Sequence, residues 1–263
     1  MIKRSAETAL NDWIINGKDA LLLTGARQIG KTYLIRQCLA NSGIPYVEFN
    51  FIEQPELISL FSDAKNTQDL LMRLSLITPT PLEKGKTFIF LDEIQEFKDI
   101  VTRIKFLVEE GSFRYIMSGS LLGVELSDLR SAPVGYMRVY DMFPLSFAEF
   151  AAAVGIHQET IDVLRNHFEN RQPVDDFVHQ KMLDVFYLYL IIGGMPEAVD
   201  TYIKTNDLTK VSQIHDKIAP VSYRFFKIRN RTQIKAAGNL RCNAGSIRSE
   251  NQTFSICKYW KRS

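Results

Sequence analysis

The fold of this chain is decided by one stretch, Gly25-Ala26-Arg27-Gln28-Ile29-Gly30-Lys31-Thr32, which has the spacing G-x-x-x-x-G-K-[ST]. An apolar run at residues 20–24 precedes it and is typical of a buried strand, and residues 33–39 after it have helical spacing. Glycine tolerates the turns that let successive backbone N–H groups face one anion. The segment, called loop 25–32 below, is predicted to bind phosphate at a helix N-terminus; the alternative is a glycine turn with an exposed lysine.

Two side chains of loop 25–32 are candidates for direct chemistry. Lys31 is expected to reach the β- and γ-phosphates of a nucleotide, and the Thr32 hydroxyl is expected to ligate Mg²⁺. The predicted cofactors are therefore ATP and Mg²⁺, with all eight loop residues contacting the nucleotide.

A second candidate site follows an apolar, β-prone run at residues 87–91. The run ends in Asp92 and Glu93. Two carboxylates at the mouth of a buried strand are costly unless a cation or hydrogen bonds compensate them, so Asp92 is predicted to bind Mg²⁺. Glu93 should face the other side of the strand and polarise a water molecule for attack on the γ-phosphate. Taken alone, the pair could be a solvated strand end.

A third polar cluster ends the predicted strand at residues 114–117. Ser118 and Ser120 are both placed to contact the γ-phosphate or the attacking water, and an ordinary strand-to-helix turn explains each equally well.

The chain resembles the prokaryotic AAA-type ATPases that carry a C-terminal domain of unknown function. The matching stretches, in the family's order, are loop 25–32, Tyr46-Val47-Glu48-Phe49-Asn50, Phe90-Leu91-Asp92-Glu93-Ile94-Gln95, Ser118-Gly119-Ser120, Pro144-Leu145-Ser146-Phe147-Ala148-Glu149-Phe150 and Gly193-Gly194-Met195-Pro196-Glu197. The resemblance implies ATP binding and hydrolysis, with a sensor serine, Ser118 or Ser120, directly after the strand predicted at residues 114–117. It also implies an arginine finger near Arg130 that reaches a neighbouring subunit in a homo-oligomer; a solvated loop arginine is the alternative.

The predicted fold class is α/β, a P-loop NTPase with a parallel sheet and helices on both faces. Strands are expected near 20–24, 45–50, 87–92, 114–118 and 136–141, with helices between them. The resemblance implies the strand order 5-1-4-3-2, and residues 1–145 form this ATPase core.

Residues 146–217, called the helical region below, are predicted to form a small all-helical lid. Ser146 and Glu149 match a capping box, and Leu145 and Phe150 match a hydrophobic staple, so the first helix should begin here. Further helices are expected at about 159–170, 177–192, 197–204 and 207–217. The resemblance implies that the lid covers the nucleotide base, with an apolar set that could pack there or could simply be the bundle core: Phe186, Tyr187, Tyr189, Leu190 and Met195.

Charge is distributed unevenly along the chain. Residues 218–263 hold ten Lys and Arg and one acidic residue, a net charge of +9, whereas residues 1–217 carry −7. This basic tail could bind nucleic acid weakly and without sequence preference, could be disordered, or could be the out-of-frame end of a truncated gene. We favour the third interpretation.

Composition predicts a cytoplasmic protein that does not cross a membrane. The three cysteines have no C-x-x-C spacing, the first residues lack the apolar segment of a signal peptide, and the longest apolar stretch, near 185–194, is too short for a bilayer.

Two functions remain open: a Mg-dependent ATPase of unknown substrate, and a nucleotide-dependent interaction or DNA-binding switch with little or no turnover.

Overall fold

The computed structural model describes residues 2–120 and 135–218. The chain divides into two compact units, Met1–Lys217 and Ile218–Ser263, and the following account concerns the first. Arg130 and the basic tail from residue 219 onward lie outside the described residues, so the predictions made for them stay predictions.

The first unit is built on a five-stranded sheet whose neighbouring strands are all parallel. The strands are β1 (Ala20–Gly25), β2 (Tyr46–Asn50), β3 (Phe88–Asp92), β4 (Arg114–Ser120) and β5 (Met137–Met142). Their order is β2-β3-β4-β1-β5, which confirms the predicted order read from the opposite edge. Because parallel strands end at one edge of a sheet, the carboxyl ends of β1, β3 and β4 lie side by side.

Helices cover both faces of the sheet, as predicted. They are α1 (Ser5–Asn16), α2 (Lys31–Ser42), α3 (Glu56–Ser62), α4 (Thr67–Ile77) and α5 (Asp99–Glu110), with a short 3₁₀ helix at Ile94–Glu96. Successive strand residues alternate between two apolar clusters: Leu22 packs with α3, α4 and α5, whereas Leu21 and Leu23 pack with α1 and α2. Burying side chains of this size stabilises the fold by roughly 1.5–3 kcal/mol each, so the three-layer arrangement follows from the apolar runs.

The helical region begins at a capping box, as the sequence predicts. The Ser146 hydroxyl accepts a hydrogen bond from Glu149 N, and the Glu149 carboxylate accepts one from Ser146 N at 2.8 Å. The helices are α6 (Phe147–Ala153), α7 (Gln158–Glu169), α8 (Asp176–Ile192), α9 (Pro196–Thr205) and α10 at 208–218. No helix within the described residues is long and apolar enough to cross a membrane.

Candidate functional site

Loop 25–32 has the backbone shape of an anion nest. Its φ angle is positive at Gly25 (144°), Gln28 (63°) and Gly30 (89°), and Gly30 is the N-cap of α2. A Cβ on Gly25 would also lie 2.2 Å from the carbonyl oxygen of Met142, so both space and backbone require glycine there. The roles predicted for the two glycines agree with this geometry, whereas the left-handed Gln28 was not anticipated.

The Lys31 ammonium lies against the backbone of loop 25–32. It is 9 % exposed, and its Nζ donates hydrogen bonds to the carbonyl oxygens of Gly25 at 3.1 Å and Ala26 at 2.8 Å. Burial lowers the pKa of Lys31, while the carboxylates of Glu93 and Asp92 oppose the change. Of the charges that act on the Lys31 ammonium, those of Glu93 and Asp92 favour its protonated form, and that of Arg27 disfavours it.

Asp92 lies at the end of β3 and is 1 % exposed. Its two carboxylate oxygens lie 3.1 and 3.0 Å from the Thr32 hydroxyl, which donates to them, and a second partner is Asn50, whose amide donates at 3.2 Å. The Ser118 hydroxyl, fully buried, donates to the same carboxylate. Burial raises the pKa of Asp92, and the hydrogen bonds from Ser118 and Thr32 only partly offset this. A buried carboxylate beside a hydroxyl is an all-oxygen pair of the kind that Mg²⁺ prefers.

Glu93 does not continue the strand, which ends at Asp92. Its φ is 56°, in the left-handed region, so the alternation of strand residues does not set its direction, and that step of the prediction was wrong. Its half-buried carboxylate instead accepts a hydrogen bond from the Gln95 amide. The carboxylate thus stays close to the ends of the strands for a different physical reason from the one expected.

The two candidate serines occupy different positions. Ser118 contacts Asp92, whereas Ser120 donates its backbone N–H to Gln95 Oε1 at 3.0 Å, and its hydroxyl accepts a hydrogen bond from Arg27 Nε at 3.4 Å. Ser118 is therefore directly coupled to the carboxylate predicted to bind the metal. Ser120 lies nearer to loop 25–32, since it is paired in register with Gly25.

Within the described residues, no group of three or more His, Cys, Asp and Glu side chains could hold a metal ion. A Mg²⁺ ion needs no such group, because it keeps several water molecules and uses one or two carboxylates together with substrate phosphates. The pair formed by Asp92 and Thr32 fits that requirement.

A pocket of about 380 Å³ adjoins loop 25–32 and the N-terminus of α2. Its lining joins the chain start, the loop, α2 and the helical region, and it includes Arg4, Ile29, Gly30, Tyr33, Leu145 and Pro196. A larger cavity, about 550 Å³, lies between α4 and α5 and contains no residue of the loop. Of these two pockets, the smaller one adjoins the site.

The apolar set expected to pack on a nucleotide base is not the lining of this pocket. Phe186 stacks edge-on against Phe147, with ring centroids 5.4 Å apart, and Tyr189 packs against Phe147 and Phe150. Tyr187 and Leu190 are exposed. The bundle-core alternative therefore describes Tyr189, whereas Phe186 is 39% exposed, and Met195 packs against the apolar cluster that contains Leu21 and Leu23.

A family profile for the AAA domain matches residues 17–151, slightly more than half of the chain. The chain belongs to the AAA domain family. The matched segment begins just before β1 and ends within α6, so it contains loop 25–32, Asp92, Glu93 and both candidate serines.

Three solved structures are similar to this AAA domain protein at low sequence identity and with TM-scores below 0.5. A Walker-type ATPase of Pyrococcus abyssi is 15% identical, with a TM-score of 0.47, over 89% of this chain and 77% of the other. PCH-2 of C. elegans is 17% identical, with a TM-score of 0.41, over 78% and 62% of the two chains. Drosophila ORC bound to DNA is 16% identical, with a TM-score of 0.45, over 93% and 69%. No curated protein sequence matches the chain significantly.

Sequence reasoning assigned no role to two residues of the site, Asn50 and Gln95. Both lie in stretches that carry the family resemblance, and Asn50 is the polar residue that ends β2 beside Asp92, its register partner in β3. A polar residue at the carboxyl end of a strand was thus an available signal for Asn50. The contacts of Gln95 depend on the left-handed turn at Glu93, which the sequence does not reveal.

Proposed function

We propose that the chain binds Mg-ATP and hydrolyses ATP at the carboxyl ends of β1, β3 and β4. The observation that carries this proposal is the contact between Thr32 and Asp92, which are 60 positions apart in the sequence. A hydroxyl at the start of a helix and a buried carboxylate at the end of a strand meet beside the Lys31 ammonium. Membership of the AAA domain family supports the same conclusion.

The triphosphate is proposed to lie in loop 25–32. Backbone N–H groups of the loop, the N-terminus of α2 and Lys31 together supply positive potential for phosphate oxygens. For Lys31 to reach a phosphate, its ammonium must exchange the carbonyls of Gly25 and Ala26 for the ligand. Thr32 and Asp92 would hold Mg²⁺. When bound, Mg²⁺ neutralises charge on the phosphate oxygens.

The hydrolytic roles are proposed for the remaining polar residues. Glu93 is proposed as the general base that takes a proton from the attacking water. Ser118 is proposed to orient Asp92, and Ser118 or Ser120 to sense the γ-phosphate. Arg130 is proposed as the arginine finger of a homo-oligomer.

The base of the nucleotide is proposed to occupy the 380 Å³ pocket beside Tyr33. Its apolar lining residues with accessible surface, Ile2, Tyr33 and Pro196, can cover an aromatic ring. Since Pro196 begins α9, the helical region at residues 146–217 would act as a lid over the nucleotide.

A nucleotide-dependent switch with little turnover is the second candidate. The observation that favours it is the net charge of +9 over residues 218–263, which suits a contact with nucleic acid. Such a switch would contact a partner or DNA, and the basic tail would give weak, salt-sensitive DNA binding without sequence preference.

The test is calorimetric titration with Mg-ATP together with steady-state hydrolysis by the purified chain, with and without DNA. Tight binding with turnover supports the ATPase, and tight binding without turnover supports the switch. Deleting residues 219–263 should leave Mg-ATP affinity intact and remove DNA binding, as expected for a dispensable tail. Absence of Mg-ATP binding by the full chain would overturn both candidates.

A further inference from the structure

We propose that Gln95 is a positioning residue for Glu93, and that it fixes the carboxylate to the end of β4. This inference rests on the proposed function, because it explains what holds the carboxylate of Glu93, the proposed general base, in one orientation. Gln95 lies in the 3₁₀ helix Ile94–Glu96, directly after the turn at Glu93.

The orientation of the Gln95 amide is determined by its partner on β4. The backbone N–H of Ser120 can only donate, and it lies 3.0 Å from Gln95 Oε1, so the oxygen of the amide must face β4. The amide nitrogen then faces Glu93 and donates to Glu93 Oε2. One side chain thus joins a backbone group of the sheet to one carboxylate oxygen, and it leaves Glu93 Oε1 to accept the proton of a water molecule.

The backbone at Glu93 explains why such a tether is required. A non-glycine residue with φ of 56° is in a sparsely populated conformation that persists only when surrounding contacts hold it. A half-buried glutamate on such a turn has three rotatable side-chain bonds, and the strand pairing, which ends at Asp92, does not fix them. The hydrogen bond from Gln95 supplies the missing restraint.

The tether also reaches loop 25–32. Ser120 is paired with Gly25 in the register of β4 and β1, and the Ser120 hydroxyl accepts a hydrogen bond from Arg27 at 3.4 Å. A continuous path of contacts therefore runs from Glu93 through Gln95 and Ser120 to Arg27. Because the phosphates are proposed to lie in loop 25–32, this path fixes the position of the Glu93 carboxylate relative to the phosphate bond that is hydrolysed.

The test uses two substitutions of Gln95 in the full chain. Gln95→Met removes both hydrogen-bonding groups at similar side-chain length, and Gln95→Glu keeps an acceptor for the Ser120 N–H while removing the donor to Glu93. Gln68→Met is the matched control, since the Gln68 amide also donates to a glutamate, Glu110 Oε1 at 3.3 Å, but on the exposed surface of α4 and α5. The measurements are kcat and KM for ATP, the Kd of Mg-ATP and the thermal midpoint.

Both Gln95 variants should lose kcat roughly ten- to a hundredfold because the base is misplaced, while the Kd stays within about twofold of wild type. Gln68→Met should change neither. In a Glu93→Gln background, Gln95→Met should have no further effect on the residual rate, because Gln95 acts through Glu93. A role in folding alone would instead lower the thermal midpoint and weaken Mg-ATP binding, so that the Kd rises as the midpoint falls.

Three further results would overturn the inference: unchanged kcat in both Gln95 variants, a raised kcat, which would mean that the hydrogen bond inhibits Glu93, or an equal further loss from Gln95→Met in the Glu93→Gln background. An active wild type with any of these results leaves the proposed function standing. A wild type that binds Mg-ATP without turnover removes the proposed hydrolysis, and this inference falls with it.

Discussion

Arg4 and Glu149 form a buried ion pair between the start of the chain and the first helix of the helical region. Arg4 Nε lies 3.3 Å from Glu149 Oε1, and the two side chains are only 9% and 11% exposed. Arg4 Nη1 also donates to the carbonyl oxygen of Ile29 in loop 25–32 at 3.0 Å, and Nη2 donates to that of Phe143. The guanidinium therefore connects the loop, the end of the sheet and the helical region.

Breaking this pair should destabilise the protein strongly. Arg4→Met leaves the Glu149 carboxylate buried without its cation, and removal of one partner of a buried pair costs about 3–5 kcal/mol. The free energy of unfolding from urea titration measures the loss. Lys86→Met is the control, because Lys86 and Glu83 form an exposed pair at 2.8 Å, whose loss should change the unfolding free energy little. Equal losses in the two variants would contradict the structural role of the Arg4 pair.

Stability should depend on pH through Glu149. Burial raises the pKa of its carboxyl, but hydrogen bonds from Ser5 and Ser146 and the charge of Arg4 outweigh this and leave the pKa below its ordinary value of 4.5. Its contribution is therefore full above about pH 4.5 and is lost as the pH falls through the lower folded-state pKa. The difference in unfolding free energy between wild type and Glu149→Gln should be largest near neutral pH and shrink on acidification. A difference that grows towards low pH would reverse the sign and exclude this account.

Lys31→Ala should weaken Mg-ATP binding by about one to two decades, because it removes a charge-assisted contact of roughly 1.5–3 kcal/mol. Calorimetric titration measures the affinity. Lys18→Ala is the matched control, as Lys18 is an exposed lysine at the turn before β1. Wild-type affinity in the Lys31 variant would remove loop 25–32 from the proposed site.

Glu93→Gln should keep Mg-ATP binding and lose about a hundredfold or more in hydrolysis, because glutamine keeps the shape of the side chain but cannot accept a proton from water. Glu96→Gln, which changes an exposed glutamate at the end of the same 3₁₀ helix, should retain activity. Steady-state turnover compares the two variants. If they are equally active, Glu93 is not the base.

Asp92→Asn should weaken the dependence of ATP binding on Mg²⁺, since it removes the negative charge proposed to hold the ion. In ATP titrations at several Mg²⁺ concentrations, the ATP affinity of the wild type should change with Mg²⁺, whereas that of the variant should stay nearly constant. Asp99→Asn, at the start of α5, is a control outside the site. A variant that keeps the full Mg²⁺ response would show that Asp92 does not hold the metal.

Much of the site could be predicted from local sequence. The spacing of loop 25–32 predicts its shape, and the apolar run before Asp92 predicts a buried strand that ends in a carboxylate. The capping box at Ser146 is equally local, since its two partners are three residues apart. The order of the strands came from the resemblance, because apolar periodicity does not say which strands are neighbours.

The remaining features depend on tertiary structure. The left-handed conformations of Gln28 and Glu93 have no residue signature, as neither is glycine. Arg4 and Glu149 are 145 positions apart, and an isolated arginine near the start of a chain gives no indication of its partner. Aromatic residues on α8 are expected both for a bundle core and for a contact with the nucleotide base. Only their packing against Phe147 and Phe150 separates the two interpretations.

The place of β1 in the sheet has a consequence for synthesis on the ribosome. Both neighbours of β1, the strands β4 and β5, are translated after it, and the last residue that pairs with it is Met142, opposite Gly25. Until that residue leaves the exit tunnel, the nascent chain carries an apolar strand with at least one unpaired edge, a state that favours aggregation. Stalled nascent chains should therefore bind ATP only at lengths that expose β5 outside the tunnel. Nucleotide binding would then report that β1 has paired with both of its neighbours.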